Sequence, residues 1–332
     1  METAAVLLFK KIAKELGHTF VLEPHYNQAG YIENAQKRRI YFRNNTLDVN
    51  TYGAIRIAKD KEYCRYFLRK FGFTTAHGTS FFNERLNSVL SEKRTVDYGY
   101  DFARKIGFPV VVKPNSSSQG RYVFKAYTKQ EFYMYSQLIL TKTSVAVVER
   151  WYPYHDVRIV VFDGKMYAAY MRKPLSVVGN GIDSLQVLLE KKARAILEEK
   201  NLQSIPKLWE DVRLLEKLKH DNRSIYSIPK VNEKIILLEN ANLSAGGEAI
   251  DVTETIHRSF CDIAVEAAKN LNLRIAGIDI LAKDMTKSAR EYVVLEVNGS
   301  PGLENYMRLS TSAYQRAKQL YTDVIKKLCG KT

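Results

Sequence analysis

Leu295-Glu296-Val297-Asn298, followed at once by Gly299-Ser300-Pro301-Gly302, reads as a short strand running into a tight turn. Alternation along a strand points Glu296 and Asn298 to one face. Upstream, Arg274–Ala282 reads as a neighbouring strand in which Asp279 interrupts Ile278, Ile280 and Leu281. A carboxylate inside an apolar strand is costly unless it is paired or bound to a cation. Each of the three polar residues, taken alone, reads as an exposed edge position, because acidic side chains are mostly exposed. Together, two carboxylates and an amide oxygen form an all-oxygen set suited to Mg²⁺, an ion that shares its coordination with substrate phosphates.

A second element with chemical content lies earlier. Val110-Val111-Val112-Lys113 is a β-branched run that predicts a buried strand, and the polar stretch from Asn115 to Arg121 follows it. Tyr122–Ala126 resumes as a strand. Two strands joined by a small-residue loop make a hairpin, which differs from the strand-to-helix arrangement of a P-loop. Lys113 can reach a phosphate while the N–H groups of the loop close over others. The competing reading is a solvent-exposed hairpin tip.

The rest of the chain alternates helices and strands. Val6, Phe9, Ile12, Ala13 and Leu16 recur at helical spacing. Strands are expected near Thr19–Glu23 and Arg39–Arg43, and turns at Asn44-Asn45 and Tyr52-Gly53. Lys59–Phe71 predicts a helix closed by Gly72, and Tyr98–Lys105 another. Val145–Glu149 reads as a strand, and Arg158–Phe162 with Lys165–Met171 as a hairpin around Asp163-Gly164. The charged segment from Ser184 to Lys219 is helical in pattern. Asp251 and Glu254, three apart ahead of Ile256 and Phe260, read as a capping box that opens an amphipathic helix. Hairpins mixed with helices give an α/β (α+β) class.

Composition bounds the function. A chain of 332 residues with 45% hydrophobic and 11% aromatic content predicts two packed lobes and excludes a disordered protein. No apolar run approaches the roughly 20 residues that span a bilayer. Lys10 and Lys11 break the first apolar run, so a signal peptide is not expected. Three cysteines and six histidines show no disulfide or metal spacing. The expected location is the cytoplasm. Lysine and arginine number 51 against 36 acids, a net charge of +15. That excess draws polyanions but is spread in small groups, and solvated lysines explain it as well.

Lys113-Pro114, the loop 115–121, Val147-Val148-Glu149-Arg150, Gly277-Ile278-Asp279 and the Leu295–Gly302 stretch occur in an order that resembles the ATP-grasp superfamily. Arg172-Lys173-Pro174 with Val177–Gly181, and Asn242–Gly247 with Ala249–Thr253, are similar to the ATP-grasp segments of cyanophycin synthetase and of bifunctional bacterial glutathione synthetases. The likeness runs from about Ala58 to Leu303. It implies an ATP-grasp fold, with two α/β lobes gripping ATP plus a small N-terminal α/β element. The expected boundaries are 1–55 for that element, 56–150 for the N-lobe and 151–330 for the C-lobe.

The resemblance also implies roles. Lys61 and Lys113 match lysines on ATP phosphates or the adenine edge, and Ser116, Ser117, Ser118 and Gly120 lie in the loop that covers the phosphates. Glu149 matches the acid that receives the adenine amino group, with Arg150, Trp151 and Tyr152 reading the ring. Asp156 matches the ribose acid, and Asp279, Glu296 and Asn298 the magnesium ligands. Arg172, with Lys113, is the expected catalytic cation on the transferred phosphoryl group. Arg158, Asn242, Ser244, Ser300 and Gly302 are expected at the substrate. The cofactors implied are ATP and Mg²⁺, two ions by the family pattern, with Mn²⁺ as a stand-in.

The activity implied is a carboxylate–amine ligase that makes an amide bond through an acyl phosphate and releases ADP and phosphate. Its substrate would be an amino acid or small peptide. The loop has one glycine where relatives often have more, and Gly277 stands where D-alanine–D-alanine ligases carry an arginine. The end near Thr332 predicts a stand-alone ligase without the second ligase domain of cyanophycin synthetase. Two alternatives share the sequence: a ligase closing side-chain amides or esters in a ribosomal peptide, and a non-enzymatic nucleotide- or nucleic-acid-binding module. Neither a membrane nor a nucleic acid is the expected partner of the ligase, and a homodimer is admitted.

Overall fold

The computed structural model describes residues 2–117, 120–200, 208–241, 243 and 246–330. The chain opens with α1 (Ala4–Glu15), capped by the Thr3 hydroxyl, which accepts from the Val6 N–H. An antiparallel sheet follows, β1 (Thr19–Leu22), β2 (Ala29–Glu33), β3 (Arg39–Arg43) and β4 (Thr46–Leu47), in sequential order. Next come α2 (Tyr52–Lys59) and α3 (Lys61–Lys70). A second sheet holds β5 (Gly78–Phe82), β6 (Val110–Pro114), β7 (Phe124–Ala126) and β8 (Val145–Arg150) in the order β5-β8-β6-β7. Between its strands lie α4 (Glu84–Val89), α5 (Val96–Ile106) and α6 (Lys129–Leu140).

The chain then forms a hairpin of β9 (His155–Phe162) and β10 (Lys165–Lys173). A two-stranded ribbon of β11 (Ser176–Val178) and β12 (Lys234–Ile236) brackets α7 (Leu185–Lys200), a 3₁₀ turn at Leu208–Glu210 and α8 (Val212–His220). Finally β13 (Glu248–Asp251), α9 (Arg258–Asn270), β14 (Ile275–Ala282), β15 (Tyr292–Asn298), α10 (Glu304–Met307) and α11 (Thr311–Cys329) complete the chain. The largest sheet has the order β13-β10-β9-β14-β15.

By internal contacts the chain divides into two discontinuous units. One comprises 1–76, 152–171 and 249–332, the other 77–151 and 172–248. In the first, Ile278 and Ile280 of β14, Val157, Ile159 and Val161 of β9, and Phe260, Ala264 and Ala267 of α9 share a buried core with Ala54, Ala58 and Leu68. In the second, Phe81, Val110, Val112, Phe132 and Val148 pack together. A separate cluster gathers Leu175, Leu185, Leu189, Leu214 and Leu237. Fully burying each large aliphatic side chain contributes about 1.5–3 kcal/mol. Among the described residues no helix is long and apolar enough to cross a membrane.

Three local expectations are corrected. The turn expected at Tyr52-Gly53 is the start of α2, because Ala54 and Ala58, one turn apart, are buried in the core and outweigh the poor helix propensity of Gly53. The N-terminal sheet has β2 and β4 in addition to the two strands expected. The capping box does not form. α9 begins at Arg258 with His257 as its cap, whose Nδ1 accepts from the Ser259 N–H at 3.2 Å. Arg316 of α11 instead binds both acids, donating to Asp251 at 2.6 Å and to Glu254 at 2.5 Å.

The β9/β10 turn carries Asp163 at φ +43° and Gly164 at φ +80°. Both angles suit the two-residue turn that follows the right-handed twist of a hairpin. Arg274 binds the Asp163 carboxylate through two N–H groups at 2.8 and 2.7 Å, and this lowers its pKa from the ordinary value. A lowered folded-state pKa adds stability above the unfolded value that is lost as pH falls through the folded one. Asp163→Asn keeps the left-handed turn. Urea unfolding of this variant should therefore show a shallower loss of stability below about pH 4 than the parent protein.

Candidate functional site

In the first unit, strand register assembles the face predicted from sequence. β14 and β15 pair with Asp279 opposite Glu296 and Gly277 opposite Asn298, and β9 places Arg158 opposite Asp279 from the other side. Directly paired residues share a face. The register then shifts, because Ile280 faces Val294 while Asp279 faces Glu296, leaving Leu295 as a bulged residue. Val294 and Val297 are both core residues although they lie three apart. The bulge reconciles them, since regular alternation would turn one outward. It also aims Glu296 and Asn298 to the side of Asp279 and Arg158.

Asp279 is 1% exposed. Arg158 grips it in a two-point ion pair, Nε to Oδ1 at 2.6 Å and Nη2 to Oδ2 at 2.7 Å. Burial works against the guanidinium charge, but the Asp279 carboxylate prevails and holds the Arg158 pKa well above its ordinary value. Glu296 is half-buried, with Oε2 3.5 Å from the buried ammonium of Lys61, and its Oε1 accepts from the Asn298 amide at 3.1 Å. Asp60 caps α3 by accepting from the Tyr63 N–H at 3.0 Å, which fixes the helix end that carries Lys61. Gly277 leaves the room this crowding needs: a Cβ there would stand 2.9 Å from Pro301 Cβ and 3.4 Å from Arg158 Cδ.

The turn after β15 is held from the N-terminal segment. Asn50 donates to the carbonyls of Ile275 at 2.8 Å and Gly299 at 2.7 Å. Its oxygen accepts from the N–H groups of Arg274 and Ile275. Ser300 meets Thr46, hydroxyl to hydroxyl, at 2.7 Å, and its carbonyl accepts from the Asn45 amide at 3.2 Å. Gly302 lies beside Glu304. Asn50, Asn45 and Thr46 were not legible as site residues, because a loop asparagine has no periodicity to mark it. Asp156 sits on β9 opposite Leu281, two residues from Arg158 and thus on the same face. Tyr152 is half-buried with its ring 5.7 Å from Tyr154.

In the second unit, Lys113, next to last in β6, pairs with Glu149 of β8 at 2.5 Å, with both side chains buried. The β6–β8 register places Val111 opposite Glu149 and Lys113 opposite Val147, so the two charges share a face. The Arg150 N–H donates to the His77 carbonyl at 2.8 Å. Trp151 carries the ammonium of Lys125 at 3.5 Å from its ring centroid. Burial, opposed by Glu239, lowers the Lys125 pKa from its usual value. Ser116 is exposed and Ser117 half-buried, and the Gly120 carbonyl accepts from Arg213 and from the Asn240 amide. Arg172 is half-buried on β10. Ser118, Asn242 and Ser244 lie outside the described residues.

Among the described residues no group of three or more His, Cys, Asp or Glu side chains converges as a metal cage. The β14/β15 face instead offers two carboxylates and an amide oxygen. Carboxylate and amide oxygens are hard donors with more than one lone-pair site each, so the donor set fits a hard divalent cation. Formal charge on the face is balanced, Asp279 and Glu296 against Arg158 and Lys61, and a divalent ion would make it positive toward phosphates. Cys64, buried beneath this face on α3, has its thiol pKa pushed up to about 12 by burial. Native protein treated with iodoacetamide near pH 8 should therefore keep Cys64 unmodified, as peptide mass analysis would read.

Known proteins resemble the chain in sequence and in fold. The family model for the RimK-like ATP-grasp domain matches residues 238–321. The chain is 30% identical over 288 residues to a cyanophycin synthetase of Geminocystis herdmanii, covering 84% of this chain and 31% of that one. It is 27% identical over 284 residues to a glutathione biosynthesis bifunctional protein of Listeria innocua, covering 83% and 34%. The chain thus spans about a third of the length of these relatives. A bifunctional glutathione synthetase from Pasteurella multocida shares the fold with a TM-score of 0.60 at 19% identity, over 97% of this chain and 44% of that chain. A D-alanine–D-alanine ligase from Bacillus anthracis does so at 0.51 and 16%, over 83% and 69%. The chain carries the ATP-grasp fold, and its residues 238–321 match the RimK-like ATP-grasp domain.

Proposed function

We propose that the protein is an ATP-dependent carboxylate–amine ligase acting on an amino acid or small peptide. The γ-phosphoryl group of ATP passes to a substrate carboxylate, giving an acyl phosphate and ADP. An amine then attacks the acyl carbon, phosphate leaves with the bonding pair, and the amine proton is lost to solvent. The observation that carries this reading is the oxygen-lined face of Asp279, Glu296 and Asn298, flanked by Lys61 and Arg158.

Bringing a carboxylate to a triphosphate joins two anions, so most of the work is charge neutralisation and alignment. Asp279, Glu296 and Asn298 would hold Mg²⁺, which would supply Lewis-acid neutralisation of phosphate oxygens. Arg158 orients Asp279 through two hydrogen bonds, while Lys61 restrains Glu296. We assign the Lys113–Glu149 pair, Trp151 and Asp156 to the nucleotide, and Arg172 to the transferred phosphoryl group. The names of the relatives, cyanophycin synthetase and glutathione biosynthesis protein, support amide formation as the outcome.

A screen of amino acids and dipeptides for coupled ADP and phosphate release tests this reading, with product mass as confirmation. Release that needs both an acid and an amine is expected. No release with any pair, or release indifferent to the amine, would oppose it.

A further inference from the structure

The exposed side of α2 and α3 has a composition that the ligase chemistry does not use. On α2, Tyr52, Arg56 and Lys59 fall at i, i+4 and i+7, and on α3, Tyr63, Tyr66 and Lys70 fall at i, i+3 and i+7. Residues at these spacings line one stripe of a helix. The three rings are 77%, 61% and 59% exposed. Single exposed rings are ordinary; these three lie on two helices that follow one another in the chain. Arg56 lies over the Tyr52 ring at 6.0 Å.

The acids of this stretch are committed elsewhere. Asp60 caps α3, and Glu62 is bound by buried Arg65. The outward stripe is therefore three cations interleaved with three aromatic rings. Its aliphatic neighbours Ala54, Ala58 and Leu68 are in the core.

We propose that this stripe binds single-stranded nucleic acid, with bases stacked on the tyrosines and phosphates on Arg56, Lys59 and Lys70. Charge complementarity selects this occupant. A second copy of the chain packed face to face would set three cations against three cations. A membrane surface would call for several exposed Leu, Phe or Trp side chains, and Phe71, just past α3, is the one exposed residue of that kind beside the two helices. An acidic peptide would satisfy the cations but leave the rings without a planar partner, whereas every base has a face to stack.

The test is fluorescence anisotropy of the full chain with labelled oligouridine and oligothymidine of about 20 nucleotides, between about 50 and 200 mM salt. Both arms are expected to bind, and the ratio between them distinguishes RNA from DNA. Tyr63→Ala/Tyr66→Ala should weaken binding by about tenfold or more, while Tyr63→Phe/Tyr66→Phe retains it. Arg56→Gln/Lys59→Gln/Lys70→Gln should reduce the slope of log K against log salt by about 2. Unfolding midpoints should stay at the parent value, since all six side chains are exposed.

Absence of binding by the parent protein at low salt would overturn the proposal. So would binding undiminished in the double alanine variant, or competition by polyglutamate as strong as by oligouridine. A dimer present in the parent and lost in the variants would overturn it in favour of self-association. None of these outcomes depends on ligase turnover, so the two readings stand or fall separately.

Discussion

Glu296→Ala is expected to reduce substrate-dependent ADP release by about 10³-fold or more, because it removes an anionic oxygen from the face that would hold the ion. The side chain is half-buried and its partners are Lys61 and Asn298, so the fold should survive. Glu296→Gln is the sharper version, since it keeps the shape and one oxygen while removing the charge. Raising Mg²⁺ should restore part of the activity of the glutamine variant and little of the alanine variant. A kinetic assay across Mg²⁺ concentrations, with urea midpoints as the folding control, reads both effects. Unchanged turnover in Glu296→Ala would remove the β14/β15 face from the chemistry.

Asp279→Ala is expected to destabilise the protein by about 3–5 kcal/mol, the cost of leaving a buried charge without its partner. Arg158 would lose both short hydrogen bonds at once and has the apolar strands β9 and β14 around it. Replacing both partners with apolar residues, as in Arg158→Met with Asp279→Leu, should recover most of that loss, because such pairs contribute little net stability over hydrophobic substitutes. Activity should be absent in every one of these variants. Urea unfolding of the two single variants and the double variant closes the cycle. A loss below about 1 kcal/mol in Asp279→Ala would mean that the pair behaves like an exposed one.

Much of this site was legible in the sequence because strand physics is local. Glu296 and Asn298 share a face through simple alternation, and Asp279 stood out as a charge in an apolar run. The pairing of Lys113 with Glu149 was less legible, since the residues lie on different strands and meet through register. The bulge at Leu295 was hidden as well: it becomes visible once Val294 and Val297 are known to share one core. Arg158 was expected at the substrate, and its grip on Asp279 is a cross-strand relation that neither strand announces. Asn50 fixes the Gly299 turn from more than two hundred residues away, with four hydrogen bonds that no periodicity encodes. The absent capping box has the same cause, because distant Arg316 outcompeted a locally sound pattern.

The central claim is that a carboxylate is activated by phosphoryl transfer, and oxygen tracing tests it most directly. Amino acids and dipeptides labelled with ¹⁸O in their carboxylates are supplied with ATP, Mg²⁺ and an amine, and the released phosphate is weighed. Carboxylate activation predicts one ¹⁸O in each phosphate released, transferred when the amine displaces the acyl phosphate. Phosphate carrying oxygen from water alone, with no amide product, would contradict the account.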